Sequence, residues 1–351
     1  MNLSVSSFRC CWLLCLSWSI CGGQAALGQE VVIAPPTPES SASVPTEKSQ
    51  VETVPVQSEP ALTLLPGREA DQIWLIDARQ LGCGFSCDRL SVMRSVGCGY
   101  WNVSSIREFL AAADASMPTV FFVHGNRVAS SEAYPESLDV YRALAQQMPE
   151  GLPLRLVYWS WPSAQIAGPL KDARIKAGRT DLSGYCLASV LREMPAESPV
   201  SLFGYSFGAR ITTGALHLLG GGRLGRYALE TAASERVPMR VVLMAAAMHS
   251  DWLLPGRYHG EALTQTSQLL SIYNPADSAL KHYHLISGSR GVQALGFTGI
   301  GGHWRLGHAQ QKIEQYNAAC IVGRSHSLYN YLDSPQLMGW AWHVLESGVG
   351  R

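Results

Sequence analysis

Short apolar runs that alternate with helix-like stretches constrain the fold of this chain more than any other feature. The runs are continuous and rich in Val, Ile, Leu and Phe, as is typical of strands buried on both faces of a sheet. They cover residues 73–76, 119–123, 154–159, 200–203, 240–244 and 269–273. The helix-like stretches cover residues 104–110, 134–148, 182–194, 209–219, 279–286 and 334–346. Strands that alternate with helices predict a largely parallel α/β sheet flanked by helices.

The sequence before residue 119 is organised differently. The runs around Ile73 and Val92 lie close together along the chain, and we expect antiparallel edge strands there. Ser105 is followed three residues later by Glu108. This spacing forms a capping box and predicts that a helix begins directly after Ser105.

The first 68 residues have the composition of a targeting segment followed by a linker. Arg9 is the first charged residue, and the apolar run at 10–20 is too short for a membrane-spanning helix, which needs about 20 residues. Ala26-Leu27-Gly28 fits the small-residue rule for cleavage, which predicts a secretory signal at 1–28. A buried N-terminal helix and a lipid anchor on Cys21 are the alternatives.

Residues 29–68 contain seven prolines and no aromatic residue, so we expect a disordered linker before a single folded domain at 69–351. The chain is therefore expected to be exported, to the periplasm or the extracellular space. Association with a membrane or the envelope through the N-terminal segment stays open.

Composition excludes some classes of function. The chain has 351 residues, 47% hydrophobic and 15% charged, with a formal net charge of zero. This balance suits a globular domain with a full core and gives no electrostatic case for binding nucleic acid.

The cysteines favour a disulfide over a metal site. Four of the nine lie within the predicted signal, and five remain: Cys83, Cys87, Cys98, Cys186 and Cys320. Two of the first three could pair in an oxidising compartment, and the odd count leaves a free thiol. The spacings match no zinc template, so we predict no metal.

The most informative motif is Gly204-Tyr205-Ser206-Phe207-Gly208, which stands between an apolar run and a helix-like stretch. G-x-S-x-G in this context is the nucleophile elbow, a tight turn that lifts a serine Oγ clear of the sheet. Ser206 is therefore the predicted nucleophile. The alternative is a glycine-rich turn that carries an ordinary serine.

A second loop is predicted to supply the oxyanion hole. The apolar run at 119–123 ends in His124-Gly125-Asn126. Acyl transfer needs two positioned N–H donors, and we expect them from Phe207, after the nucleophile, and from Asn126, with Arg127 as the alternative. His124 is interpreted as a structural residue of this loop.

The acid and the base are expected downstream, in the order serine, acid, histidine. Asp277 lies where a strand is expected to end and a helix to begin. The apolar residues 318–322 are the last expected strand, and His326 lies in the loop that follows it. Asp251 and His303 are the alternatives. In this arrangement His326 takes the proton of Ser206, and Asp277 orients the imidazole ring and stabilises its charged form.

These motifs together resemble the alpha/beta-hydrolase superfamily and, more narrowly, an uncharacterised bacterial group of alpha/beta hydrolases known as a domain of unknown function. The resemblance rests on residues 122–126, 158–163, 204–208, 273–280 and 325–329. It implies the alpha/beta-hydrolase fold, an esterase- or lipase-like activity and no cofactor. One departure is Tyr205, where such chains often carry histidine.

The sequence thus predicts an exported serine hydrolase that acts on a small-molecule or lipid-like carboxylic ester. Two alternatives use the same fold. One is a catalytically silent module that binds a ligand or a protein, and the other is a peptidase or amidase with the same three residues. Aromatic Trp159, Trp161, Tyr205 and Phe207 could line an apolar acyl pocket or belong to the core.

Overall fold

The computed structural model describes residues 65–80, 89–97, 99–166, 168–230, 237–288 and 291–346. All of these residues belong to one unit at 53–351. The predicted signal at 1–28, residues 29–64 of the predicted linker, and Cys83, Cys87 and Cys98 lie outside the described residues.

The described part of the chain forms one nine-stranded sheet, with the order β3-β2-β1-β5-β4-β6-β7-β8-β9. Its strands are β1 Gln72–Asp77, β2 Ser91–Gly97, β3 Tyr100–Ser104, β4 Thr119–Val123, β5 Arg155–Ser160, β6 Val200–Tyr205, β7 Met239–Met244, β8 Thr266–Tyr273 and β9 Ile313–Asn317. Across the sheet from β1 through β5 and β4 to β9, every neighbouring pair is parallel. Strand β2 is antiparallel to both of its neighbours, β1 and β3. The predicted mostly parallel sheet is confirmed.

Helices flank this sheet. They are α1 Ile106–Ala111, α2 Ser130–Ala145, α3 Pro169–Glu193, α4 Phe207–Leu219, α5 Tyr283–Ser287, α6 Leu295–Thr298, α7 Ala319–Val322, α8 Leu328–Leu332 and α9 Pro335–Glu346. The chain steps one way across the sheet from β4 to β5 and the other way from β5 to β6 and β7. Because parallel crossovers are right-handed, α2 lies on one face, and α3 and α4 lie on the other. Helix α9 packs against α2, and α3 packs against α4.

The predicted strands agree closely with the sheet. Strand β4 has the predicted bounds, and four other predicted runs lie within strands that extend one to three residues further. The predicted run at 154–159 is shifted by one residue from β5. Strands β4, β5 and β6 are wholly buried, and β7 is buried except at Arg240, which explains why continuous apolar runs revealed them. The capping box is also present, since Ser105 Oγ accepts the N–H of Glu108 at the start of α1.

Two expectations about the strands need correction. The apolar residues 318–322 are not the last strand, because they form the short helix α7 and the last strand is β9. Strand β9 lies at the sheet edge with mostly polar, exposed residues, so it lacks the apolar signature. The runs around Ile73 and Val92 do pair antiparallel, but β1 lies inside the sheet and β3 forms the edge.

The helix bounds differ for similar reasons. Helix α3 begins at Pro169, well before residue 182, because its first half is rich in charged residues that conceal the apolar period. The stretch at 279–286 divides into a 3₁₀ turn, Leu280–His282, and α5. Over the residues that the structure covers, a helix both long and apolar enough to cross a membrane is not found.

Candidate active site

Ser206 occupies a strained turn between β6 and α4. Its φ of 53° and ψ of −117° lie in a region that a residue with a side chain rarely adopts. Its N–H donates to the carbonyl of Met244 at 3.0 Å, which ties the turn to the end of β7. A Cβ on Gly208 would lie 1.9 Å from the carbonyl oxygen of Val123, so only glycine lets the turn approach β4 this closely.

The structure brings Ser206, His326 and Asp277 into one hydrogen-bonded chain. Ser206 Oγ lies 2.9 Å from Nε2 of His326, and Nδ1 of the same ring lies 2.6 Å from Asp277 Oδ2. Asp277 is fully buried, whereas 24% of the His326 side chain is exposed. When Nδ1 carries the proton and donates a hydrogen bond to the carboxylate, Nε2 is left to accept the proton of the serine.

The turn that follows β8 orients Asp277. Its Oδ1 accepts the backbone N–H groups of Ala279 and Leu280 at 2.8 and 2.9 Å. One carboxylate oxygen is thus fixed by the backbone, and the other faces the histidine. This arrangement holds the carboxylate in one orientation without using the oxygen that contacts His326.

The loop at 323–327, called here the histidine loop, is held by neutral hydrogen bonds. Asn274 Nδ2 donates to the carbonyl of Gly323 at 2.8 Å, and Ser278 Oγ donates to that of Arg324 at 3.0 Å. The Tyr205 hydroxyl donates to the carbonyl of His326, and the two rings stack at 5.7 Å between centroids. Tyr205 therefore positions His326, a role that the sequence did not reveal.

The loop at 124–128, named the oxyanion loop after its expected role, lies against Ser206. A Cβ on Gly125 would be 3.2 Å from the Cβ of Ser206. Phe207 is the first residue of α4, so its N–H has no partner within the helix. The N–H of Arg127 already donates to the carbonyl of Ser163 at 2.9 Å, which favours Asn126 over Arg127 as the second donor.

A buried ion pair anchors the oxyanion loop. Asp172 and Lys176, on α3, are fully buried and lie 3.0 Å apart. Asp172 Oδ2 accepts Nδ2 of Asn126 at 2.8 Å and Nε of Arg127 at 3.3 Å, and Lys176 Nζ donates to the Ser163 carbonyl at 3.1 Å. The network left no recognisable pattern in the sequence, because the oxyanion loop, Ser163 and α3 lie well apart along the chain.

Opposing effects set the pKa of Asp172. Burial raises this pKa, but hydrogen bonds from the Ile166 N–H, Lys176, Asn126 and Arg127 outweigh burial and lower it to about 2. Asp172 is therefore ionised at neutral pH and can compensate the charge of Lys176.

His124 holds the neighbouring loop in place. Its Nε2 accepts the N–H of Trp161 at 3.1 Å, and the Trp161 indole N–H donates to the His124 carbonyl at 2.8 Å. Burial, with a smaller effect of the Arg79 charge, lowers the pKa of His124 to about 3, so the ring is neutral. These contacts agree with the structural role expected for this residue.

The alternative acid and base have other partners. Asp251 pairs with Arg257 at 3.3 Å, and the ring of His303 contacts that of Trp304. Of the residues with described positions, no group of three or more His, Cys, Asp or Glu side chains could hold a metal ion. Trp159, Trp161 and Phe207 are buried, which places them in the core and not on the wall of an open pocket.

Comparisons with known proteins give distant likenesses. No protein-family model and no curated protein matches the sequence. Among solved structures, acyl-protein thioesterase 2 of Zea mays is similar with 16% identity and a TM-score of 0.33, over 66% of this chain and 95% of that chain. An iodinated complex of acetyl xylan esterase is similar with 14% identity and a TM-score of 0.29, over 66% and 99%. Neither likeness is close enough to support an argument about function.

The chain's own geometry defines its fold. A mostly parallel sheet carries a strained serine turn between β6 and α4, an acid after β8 and a histidine further along the chain. That is the arrangement of the alpha/beta-hydrolase fold. The resemblance to one bacterial group within that superfamily stays a prediction.

Proposed function

We propose that the protein is an exported serine hydrolase that cleaves carboxylic esters through an acyl-enzyme. The observation that supports this proposal is the hydrogen-bonded chain from Ser206 Oγ through His326 to Asp277, with distances of 2.9 and 2.6 Å. Nucleophile and base lie within the range that proton transfer requires.

The proposed reaction has two halves. Ser206 Oγ attacks the carbonyl carbon while His326 Nε2 takes its proton, and the oxyanion that forms accepts the N–H groups of Phe207 and Asn126. His326 then gives the proton to the leaving alcohol, and an acyl-serine remains. Water loses a proton to His326, attacks the acyl carbon and releases the acid, and the proton returns to Ser206.

The first experiment is reaction of the purified chain from residue 29 onward with a fluorophosphonate probe. We expect labelling of the wild type, loss of labelling in Ser206→Ala, and unchanged labelling in Ser116→Ala, which alters an exposed serine. Absence of labelling in a folded wild type would contradict the hydrolase proposal and favour a silent binding module.

A second experiment separates ester from amide cleavage. Nitrophenyl esters of increasing chain length, beside nitroanilides of the same acyl groups, are expected to give turnover of the esters. Faster cleavage of the amides would favour a peptidase or amidase.

Export rests on the sequence of residues 1–28. We expect the chain, expressed with its own N-terminus in a bacterium, to appear outside the cytoplasm with residue 29 as its first residue. A cytoplasmic product with an intact N-terminus would contradict export and leave the hydrolase proposal in place.

A further inference from the structure

Arg210 is a cation beside the nucleophile with no partner for its donors. It lies four residues after Ser206, in the second turn of α4. Its Cζ is 4.7 Å from the ring centroid of Trp252 and 5.6 Å from that of Phe207. Within the described part of the chain it makes no hydrogen bond and no ion pair, and its Nε is buried without an acceptor.

The acids of this region are already paired. Asp251 contacts Arg257 at 3.3 Å, and Asp181 accepts the hydroxyl of Tyr258 at 2.7 Å. Among the described residues, the charge of Arg210 therefore has no carboxylate to compensate it. Arg210 is half-buried and only its Nε is buried without an acceptor, so its other donors remain open to a bound anion.

Uncharged rings surround Arg210. His249 stacks on Trp252 at 4.6 Å and packs edge-on against Tyr283 at 5.7 Å. Burial lowers the pKa of His249, and the Arg210 charge lowers it further, so this ring is neutral at neutral pH. Among the described residues, this ring cluster therefore contains no second cation that could bind the same anion.

We propose that Arg210 binds a carboxylate carried by the substrate, so that the preferred esters are anionic. This inference rests on the proposed hydrolase function. The planar guanidinium suits bidentate binding of a carboxylate. Arg210 follows Ser206 by four residues and lies against the ring of Phe207, the residue next to Ser206, so a carboxylate a few bonds from the reacting carbonyl is expected to reach it.

The test compares anionic and neutral esters that differ only in charge. One pair carries the charge on the acyl side: the nitrophenyl monoester of glutaric acid, and the same compound with its free acid methylated. The other pair carries it on the alcohol side: the butyrate ester of 4-hydroxybenzoic acid and its methyl ester. The measured quantity is the ratio of kcat/KM for the anionic and neutral members of each pair.

We expect the wild type to prefer the anionic member of one pair, and that pair identifies the side that carries the charge. Arg210→Gln should lower the ratio roughly 10- to 100-fold, as expected for loss of a hydrogen bond to a charged group. Arg210→Lys should retain part of it. Arg107→Gln, which removes an exposed charge on α1, should leave the ratio unchanged.

Equal ratios in the wild type and Arg210→Gln for both pairs would overturn the inference, and fluorophosphonate labelling of Ser206 would still support the hydrolase. If Ser206 is not labelled, glutarate binding to the wild type decides the question through the shift in Tm. A Tm increase that disappears in Arg210→Gln supports the anion site, and no increase in the wild type overturns it.

Discussion

The oxyanion loop and the histidine loop both flank Ser206, but different interactions hold them. The oxyanion loop is tied to Asp172, a fully buried carboxylate that pairs with an equally buried Lys176. The histidine loop is tied by neutral donors from Asn274, Ser278 and Tyr205.

The difference predicts unequal tolerance of mutation. Removing one member of a buried ion pair leaves an uncompensated charge in the core, whereas removing one neutral donor costs about a single hydrogen bond. The loop that is expected to supply passive N–H donors is thus more firmly anchored than the loop whose histidine must exchange protons.

The largest expected effect concerns the chemistry of the histidine loop. Asp277→Asn keeps an acceptor for the N–H groups of Ala279 and Leu280 but favours the wrong tautomer of His326. We expect kcat for a nitrophenyl ester to fall roughly 10⁴-fold, with the chain still folded. Asp333→Asn, an exposed acid, is the control. A loss below about tenfold would remove Asp277 from the proposed mechanism.

The second-largest expected effect tests whether the buried ion pair of Asp172 and Lys176 stabilises the fold. Asp172→Asn leaves Lys176 buried without a counter-charge, and we expect the free energy of unfolding in urea to fall by about 3–5 kcal/mol. Asp139→Asn breaks a partly exposed pair with Arg142 at 3.2 Å and should cost below about 1 kcal/mol. Similar losses in the two variants would show that the buried pair does not anchor the fold.

The same residue gives an acid-dependent prediction. The pKa of Asp172 lies at about 2 in the folded protein, below the ordinary value of 3.8. Because the pKa of Asp172 is lower in the folded than in the unfolded chain, its ionised form contributes stability that is complete above pH 3.8 and is lost as the pH falls towards 2. Urea unfolding at pH 5, 4 and 3 should therefore show a steeper loss in the wild type than in Asp172→Asn. Parallel curves would contradict this assignment.

The smallest expected effect is in Tyr205→Phe. This change keeps the ring that stacks on His326 and removes the hydroxyl that donates to the His326 carbonyl. Unfolding free energy should fall by about 1 kcal/mol, and kcat should fall several-fold with KM nearly unchanged. Tyr329→Phe, on a half-exposed ring, is the control. A loss as large as that of Asp172→Asn would erase the contrast between the loops.

The features that the sequence predicted correctly depend on residues that are close together along the chain. The turn around Ser206 was recognisable because glycine at 204 and 208 is required within a few residues of the serine, and Asp277 followed from its place after an apolar strand. The His326 position was expected for a partly wrong reason, because the residues before it form α7 and not a strand.

What the sequence did not predict depends on distant residues. Lys176 looked like one of several basic residues in a charged helical stretch, and only folding buries it against Asp172. Tyr205 was expected to affect the pocket wall, but its hydroxyl contacts a carbonyl 121 residues further along the chain. Such contacts leave no periodic pattern, so single-sequence reasoning cannot detect them.

The close approach of Gly208 to β4 also has a consequence for biosynthesis. The strained turn is stable only when β4 is already in place beneath it, and its base arrives with the loop before α8. The last described helix, α9, is docked by a hydrogen bond from Ser201 Oγ to the carbonyl of Leu345 at 2.8 Å. A ribosome must therefore extend the chain beyond His326 before Ser206 gains its hydrogen-bond partner, so a shorter nascent chain carries Ser206 without it.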